Sequence, residues 1–184
     1  MKKIVGVTGM PGAGKATVKQ IVQNLGYTVV VMGDVIREEA KRRNLEFTPE
    51  NLGWLMVKLR EEDGPAVVAK RCMLEVKKKK ENFILIDGVR SLREVQEFKK
   101  HFSHFTLIAI HASPKTRFHR LRKRKRSDDP QTWKTFVERD LRELSVGLGD
   151  VIATTDCMMI NEGAKEQLEK KVRIFLEKWN CERN

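Results

Sequence analysis

The chain has 184 residues and sets 37 Lys and Arg against 25 Asp and Glu, a formal net charge of +12 at pH 7 that calls for an anionic partner. That length suits one packed domain over residues 1–184, and no apolar run approaches the ~20 residues needed to span a bilayer, which points to a cytoplasmic protein without a membrane partner. Cys72, Cys157 and Cys181 are widely spaced without a CxxC pair, so they read as reduced thiols, and a disulfide framework or zinc site is excluded.

The opening "MKKIVGVTGM" has the basic start of a secretory signal, but its apolar run is short and passes into glycines instead of a cleavage site. It reads as a strand over Lys3–Val7. Gly9, Met10, Pro11, Gly12, Ala13, Gly14 and Lys15 follow, and the pattern of a glycine, four residues, then Gly-Lys lies between that strand and a helix over Lys15–Asn24. This is the context in which a P-loop works. Small side chains let backbone N–H groups turn onto phosphates, the helix points its positive end at them, and Lys15 adds a full charge. The bland alternative is a glycine turn with a solvated lysine. Ala16 stands where a magnesium-binding hydroxyl is usual; magnesium keeps several waters, so a water can take that place, and Thr17 still offers a hydroxyl one residue on.

A second strand over Thr28–Met32 leads to a helix over Asp34–Arg43, with Asp34 and Arg37 one turn apart on one face. A guanidinium there suits bidentate grip on a phosphate; the alternative is a helix-dipole carboxylate beside a surface arginine. The βα rhythm is then broken by two helices within Thr48–Lys80, the first opened by "TPEN", with Thr48 as cap and Pro49 at the first helical position. This insertion, residues 48–80, is the expected acceptor side.

"FILIDGVRS" supplies a third strand over Phe83–Ile86, then Asp87, Gly88 and Arg90, before a helix over Ser91–Lys100. Four apolar residues ending in a carboxylate have the form of a magnesium-holding strand, with Asp87 acting directly or through water. The alternative is a tight turn into a capped helix. The fourth strand is Thr106–His111, and the four histidines show no metal spacing.

Helices over Pro114–Lys125 and Pro130–Leu144 carry the densest positive charge, in "RFHRLRKRKRSDDPQTWKTFVERDLREL". A nucleic-acid partner is compatible with that charge but not favoured, because Tyr occurs once in the chain and no RNA-binding signature accompanies the run. The favoured reading is a lid over residues 114–145 whose Arg120, Arg124, Arg126 and Arg139 meet the transferring phosphoryl group, the other charges forming a solvated face. The last strand, Cys157–Ile160, ends in Asn161, Glu162 and Gly163 before a helix over Ala164–Trp179.

Together "GMPGAGKAT", "MGDVIREE", "IDGVRS" and "RLRKRKRSDD" resemble the adenylate kinases, whose loop commonly reads G-x-P-G-x-G-K-G-T and also lacks the hydroxyl ligand at the place of Ala16. With "HASPKTRF" and "INEG" added, nearly the whole chain resembles an archaeal group of adenylate-kinase-related P-loop kinases, and it is similar also to dephospho-CoA kinases. One departure stands out: adenylate kinases carry D-G-x-x-R where this chain has Arg90 one position earlier. The resemblance implies an α/β P-loop nucleotide-kinase fold, a five-stranded parallel sheet with helices on both faces, an acceptor insertion and a lid. It implies further that Asn161 and Gly163 contact the adenine of ATP, that Arg37, Gly88 and Arg90 serve the acceptor with Asp34, and that Lys15, Asp34, Asp87, Arg126 and Arg139 carry catalysis.

The function expected is ATP- and Mg²⁺-dependent phosphoryl transfer to a small anionic acceptor, foremost a nucleoside monophosphate. Transfer to a hydroxyl, as in dephospho-CoA kinases, is the alternative; a nucleotide-dependent RNA- or protein-binding ATPase switch is another.

Overall fold

The computed structural model describes residues 2–126 and 129–181. Five strands pair in parallel in the order β2-β3-β1-β4-β5, where β1 is Lys3–Thr8, β2 Thr28–Val31, β3 Phe83–Asp87, β4 His104–His111 and β5 Cys157–Ile160. The expected strands are all present. Val31 passes directly into a helix that begins at Met32, which ends the second strand one residue early.

Period-two alternation explains why the strands read as continuous apolar runs: both faces of the sheet are covered. Ile4, Ile84, Ile86, Phe105 and Leu107 join one core cluster, while Val5, Val7, Leu85, Ile108 and Ile110 join the other. On the second face lie α1 (Lys15–Asn24) and α9 (Lys165–Cys181), with Trp179 Nε1 donating to the buried Thr106 Oγ1 at 2.8 Å. The first face carries α2 (Met32–Arg42), α3 (Pro49–Asp63), α4 (Val67–Lys78) and α5 (Leu92–His101). There Phe98 stacks on Phe105 with centroids 5.5 Å apart. Gly6 makes room for that stack, since a Cβ on it would sit 2.7 Å from the Phe105 ring. Each fully buried Leu, Ile or Phe in these layers contributes about 1.5–3 kcal/mol of hydrophobic stabilisation.

Helices α3 and α4 occupy the expected insertion. Leu55, Leu59, Cys72 and Val76 are fully buried, and burial pushes the Cys72 thiol up to about 12, leaving it inert. The Cys181 side chain lies outside the described residues. Glu39 on α2 accepts from Arg71 on α4 at 2.8 Å, tying the insertion to the sheet-side helix.

The charged region forms α6 (Pro114–Arg124) and α7 (Trp133–Ser145). The second helix starts later than its proline suggests, because Thr132 and Thr135 form a capping box that fixes the first turn at Trp133. One short helix, α8 (Leu148–Ala153), has no counterpart in the sequence reading; six residues are too few for helical periodicity to register, yet Leu148 and Val151 are buried. Among the described residues no helix is long and apolar enough to cross a membrane.

Candidate active site

The sheet order creates the site. β1 and β3 are neighbours whose connections leave in opposite directions, to β2 and to β4, so the loops after them lie side by side at the carboxyl ends of the strands, where open α/β sheets take ligands. Val7 is in register with Asp87, and Gly88 N–H and Val89 N–H both donate to the Val7 carbonyl. Thr8 Oγ1, fully buried, returns a hydrogen bond to the Val89 carbonyl at 2.7 Å.

Gly9, Gly12 and Gly14 have φ of 140°, 80° and 114°, left-handed values that only glycine adopts without strain. Space is equally restrictive: a Cβ on Gly9 would lie 2.3 Å from the Ile110 carbonyl oxygen, and one on Gly14 2.2 Å from Asn161 Nδ2. The loop backbone is thus packed directly on its neighbours, with no room for side chains at these two positions. Asn161 is buried, and its amide donates to the Ala13 carbonyl at 2.8 Å. On the other flank Arg117 donates to the Pro11 carbonyl at 3.2 Å and forms a bidentate pair with Asp140. It also stacks over Phe136, so α6 and α7 are both stitched to the loop.

Lys15 is half-buried at the base of this loop, donating to the Gly9 carbonyl and, at 3.2 Å, to that of Met10. Burial drives its pKa down to about 8, with Arg90 adding to the fall and Asp87 opposing it. Asp87 shows the converse. Burial pushes its carboxyl above the usual range against the pull of Lys15, Lys19 and Arg90. Its Oδ1 is buried without a hydrogen-bond partner, and an orphaned carboxylate oxygen beside a phosphate cradle fits a hydrated magnesium ion. Among the described residues no cluster of three His, Cys, Asp or Glu could hold a metal by itself, which leaves Asp87 with waters and phosphate oxygens as the fitting donor set.

These elements enclose a cavity of about 480 Å³. Among the described residues it is lined by seven cationic side chains, Lys15, Arg37, Arg90, Arg120, Arg124, Arg126 and Arg139, against the carboxylates Asp87 and Glu143. Gly9, Pro11, Gly12, Gly14, Ala16, Thr17 and Gly88 complete most of the wall. The sequence candidates that do not line it are Met10 and Ala13, which contribute backbone bonds within the loop, together with Asp34, Asn161 and Gly163. Asp34 instead pairs with Arg37 at 2.5 Å, both side chains more than half exposed. Gly163 packs beside Gln167 and is exposed.

Other positioning groups escaped sequence reasoning. Glu143 faces the cavity and draws Arg90 to 3.4 Å, while Glu94 accepts from the Arg90 and Ser91 N–H groups and fixes the backbone there. Asp129 is buried between the basic helices; burial works to raise its carboxyl, but the Arg124 hydrogen bonds at 3.0 and 2.5 Å, the Arg126 N–H and nearby Arg139 outweigh it and hold the value down. Ser127 and Asp128 of the same stretch lie outside the described residues. The spacing of Arg117, Arg120, Leu121 and Arg124 at i, i+3, i+4 and i+7 was the available signal for which residues of α6 face inward.

The lysine supplies a pH test. Free Lys15 loses its charge as pH rises through about 8, so for the ATP-dependent activity proposed below kcat/KM, which reports the free protein, should fall on that alkaline limb. The anionic triphosphate raises the same pKa once bound, and kcat should hold to higher pH. A kcat/KM that stays flat from about pH 7 to about pH 9.5 in a steady-state profile contradicts the assignment.

Comparison with known proteins gives a consistent picture. The family described as AAA domain matches residues 8–137. A UPF0200 protein of Methanothermobacter thermautotrophicus is 47% identical over 175 residues, covering 95% of this chain and 90% of the relative. Another, from Hyperthermus butylicus, is 48% identical with 94% and 92% covered. Among solved structures, TT1252 from Thermus thermophilus aligns over 96% of this chain and 97% of its own with a TM-score of 0.68 at 17% identity. A shikimate kinase from Acinetobacter baumannii, solved with shikimate, aligns over 97% and 94% with a TM-score of 0.59 at 14% identity. At such identities the structural likeness is one of fold.

Proposed function

The chain belongs to the UPF0200 family and folds as a P-loop kinase-like domain, and from that premise we propose that it transfers the γ-phosphoryl group of ATP, with Mg²⁺, to a small anionic acceptor in the cytoplasm, most readily a nucleoside monophosphate. The observation that carries this reading is the meeting of half-buried Lys15 and the unpartnered Asp87 oxygen at the floor of an arginine-walled cavity.

In this scheme the loop N–H groups and Lys15 hold the donor phosphates. Magnesium, when bound at Asp87, supplies charge neutralisation on the phosphate oxygens. Arg120, Arg124, Arg126 and Arg139 stabilise the equatorial oxygens as the bond to the donor's bridging oxygen breaks and one to the acceptor oxygen forms. Helices α6 and α7 act as the lid, excluding water that would otherwise hydrolyse ATP. The whole chain acts as one domain, with the α3–α4 insertion and Arg90 on the acceptor side.

Arg37 lines the cavity while Asp34 is turned to Arg37. That arrangement supports a phosphate acceptor, with Arg37 as its clamp and Asp34 as the group that orients the clamp. A hydroxyl acceptor would need Asp34 to take its proton. A transfer screen with γ-labelled ATP against nucleoside monophosphates and dephospho-CoA, with hydrolysis as control, tests the reading. We expect labelled nucleoside diphosphate, and Asp34→Asn should slow its formation without abolishing it. Label released only to water overturns the proposal, and loss of all turnover in Asp34→Asn transfers the assignment to a hydroxyl acceptor.

A further inference from the structure

Helix α6 has a second face. Arg120, Leu121 and Arg124 line the cavity and Arg117 holds the loop beside it, while Lys115, Phe118, His119 and Arg122 repeat the same i, i+3, i+4, i+7 spacing on the opposite side. With Lys123, Lys125, Gln131 and Trp133 they line an open groove of about 930 Å³. Among the described residues no carboxylate lines it. The floor is aromatic: Trp133 is 46% exposed, and its ring is held by Phe118 edge-on at 5.3 Å and by Phe136 at 5.0 Å. The Arg122 guanidinium sits 5.6 Å over the Phe118 ring.

We propose that this groove binds single-stranded nucleic acid, with Trp133 stacking a base and the lysines and arginines along the rim holding the backbone. An aromatic face fixed by its neighbours and partly open to solvent is a stacking platform that any base satisfies, and a rim of one sign neutralises successive phosphates. The distance from Lys115 to Lys123 along the helix axis is ~12 Å, which accommodates a few nucleotides. A concave site with its aromatic rings on the floor does not fit a flat anionic bilayer, and a duplex buries the base faces that Trp133 would engage. Arg126 lines both this groove and the nucleotide cavity, so the two sites adjoin across one side chain. The proposal does not depend on the phosphoryl-transfer reading.

The test uses the full chain and a fluorescent oligouridylate of about 12 nucleotides, its DNA counterpart, a duplex of the same length and phosphatidylserine vesicles, followed by anisotropy or sedimentation. The single strands should bind more tightly than duplex or vesicles, with affinity falling as salt rises; the RNA and DNA arms tell which strand is preferred. The double variant Lys115→Glu/Lys123→Glu, both exposed positions, should weaken binding about tenfold or more. Trp133→Leu should weaken it about fivefold or more, with Trp133→Phe retaining most of the affinity. Because Trp133 packs against two other rings, the lysine pair carries the test if the leucine variant unfolds. Unchanged affinity in the lysine variant, preference for duplex or vesicles, or complete displacement of the strand by ATP with no effect of the lysine changes would overturn the proposal.

Discussion

Replacing Lys15 with alanine is expected to lower kcat/KM for ATP by roughly 10³-fold while the protein stays folded. The side chain is the one full positive charge held by the loop itself, and its pKa near 8 means that burial already works against that charge in the free protein. Triphosphate would supply the missing counter-charge, so binding energy and the lysine's protonation are coupled. Alanine removes that coupling together with the charge. Since Lys15 borders the cavity, its removal leaves space that water can fill instead of a sealed void. Thermal unfolding and a nucleotide titration should therefore separate, the first changing little and the second collapsing. A Lys15→Ala protein that turns over ATP at the parental rate would show that the loop only binds nucleotide, or joins strand to helix.

Asp87→Asn should move activity and stability in opposite directions. Turnover should fall by roughly 10²- to 10³-fold, because the carboxylate whose oxygen stands unpartnered beside the loop becomes a neutral amide. The unliganded fold should be as stable as the parent or more so, by about 1 kcal/mol, roughly 2–4 °C in Tm. Burial is the largest influence on Asp87 and raises its pKa despite three nearby cations. A carboxyl with a raised folded pKa contributes favourably below the ordinary carboxylate range, and that contribution disappears as pH rises through the folded value. At neutral pH the ionised group is therefore a burden to the free fold, and asparagine does not carry it. Calorimetry offers a second readout: parental protein should bind ATP more tightly with Mg²⁺ than with chelator, and the variant should show little difference. A variant that is clearly less stable, yet keeps magnesium-dependent affinity, would place Asp87 among structural groups.

Much of the sheet was legible because the inner strands β1, β3 and β4 are covered on both faces and so appear as unbroken apolar runs between turn signals. Such runs as Phe83–Ile86 and Thr106–His111 need no partner to be recognised. The boundaries that shifted did so for local reasons that compete with one another, as where the Thr132–Thr135 box overrides Pro130 as the helix start. Helix α8 was invisible because its six residues cover less than two turns. Within the basic segment the composition called for an anionic partner but did not sort the charges. Arg120 and Arg124 face the cavity while Arg122 and Lys123 face the outer groove, a division decided by which side of α6 docks on the loop.

What the sequence by itself determined was the phosphate cradle and the type of fold around it. The cradle is built from contiguous residues whose backbone geometry depends on their own side chains, so Gly9, Gly12, Gly14 and Lys15 announce it locally. Only the tertiary structure decided that β3 lies beside β1, which brings Asp87 to Lys15, that Asn161 holds the Ala13 carbonyl across the loop, and that Arg117 and Asp140 clamp its other side. These contacts join residues from 23 to 148 positions apart. Their geometry follows from strand order and helix docking, which are properties of the packed chain as a whole and leave no mark in any short stretch of it.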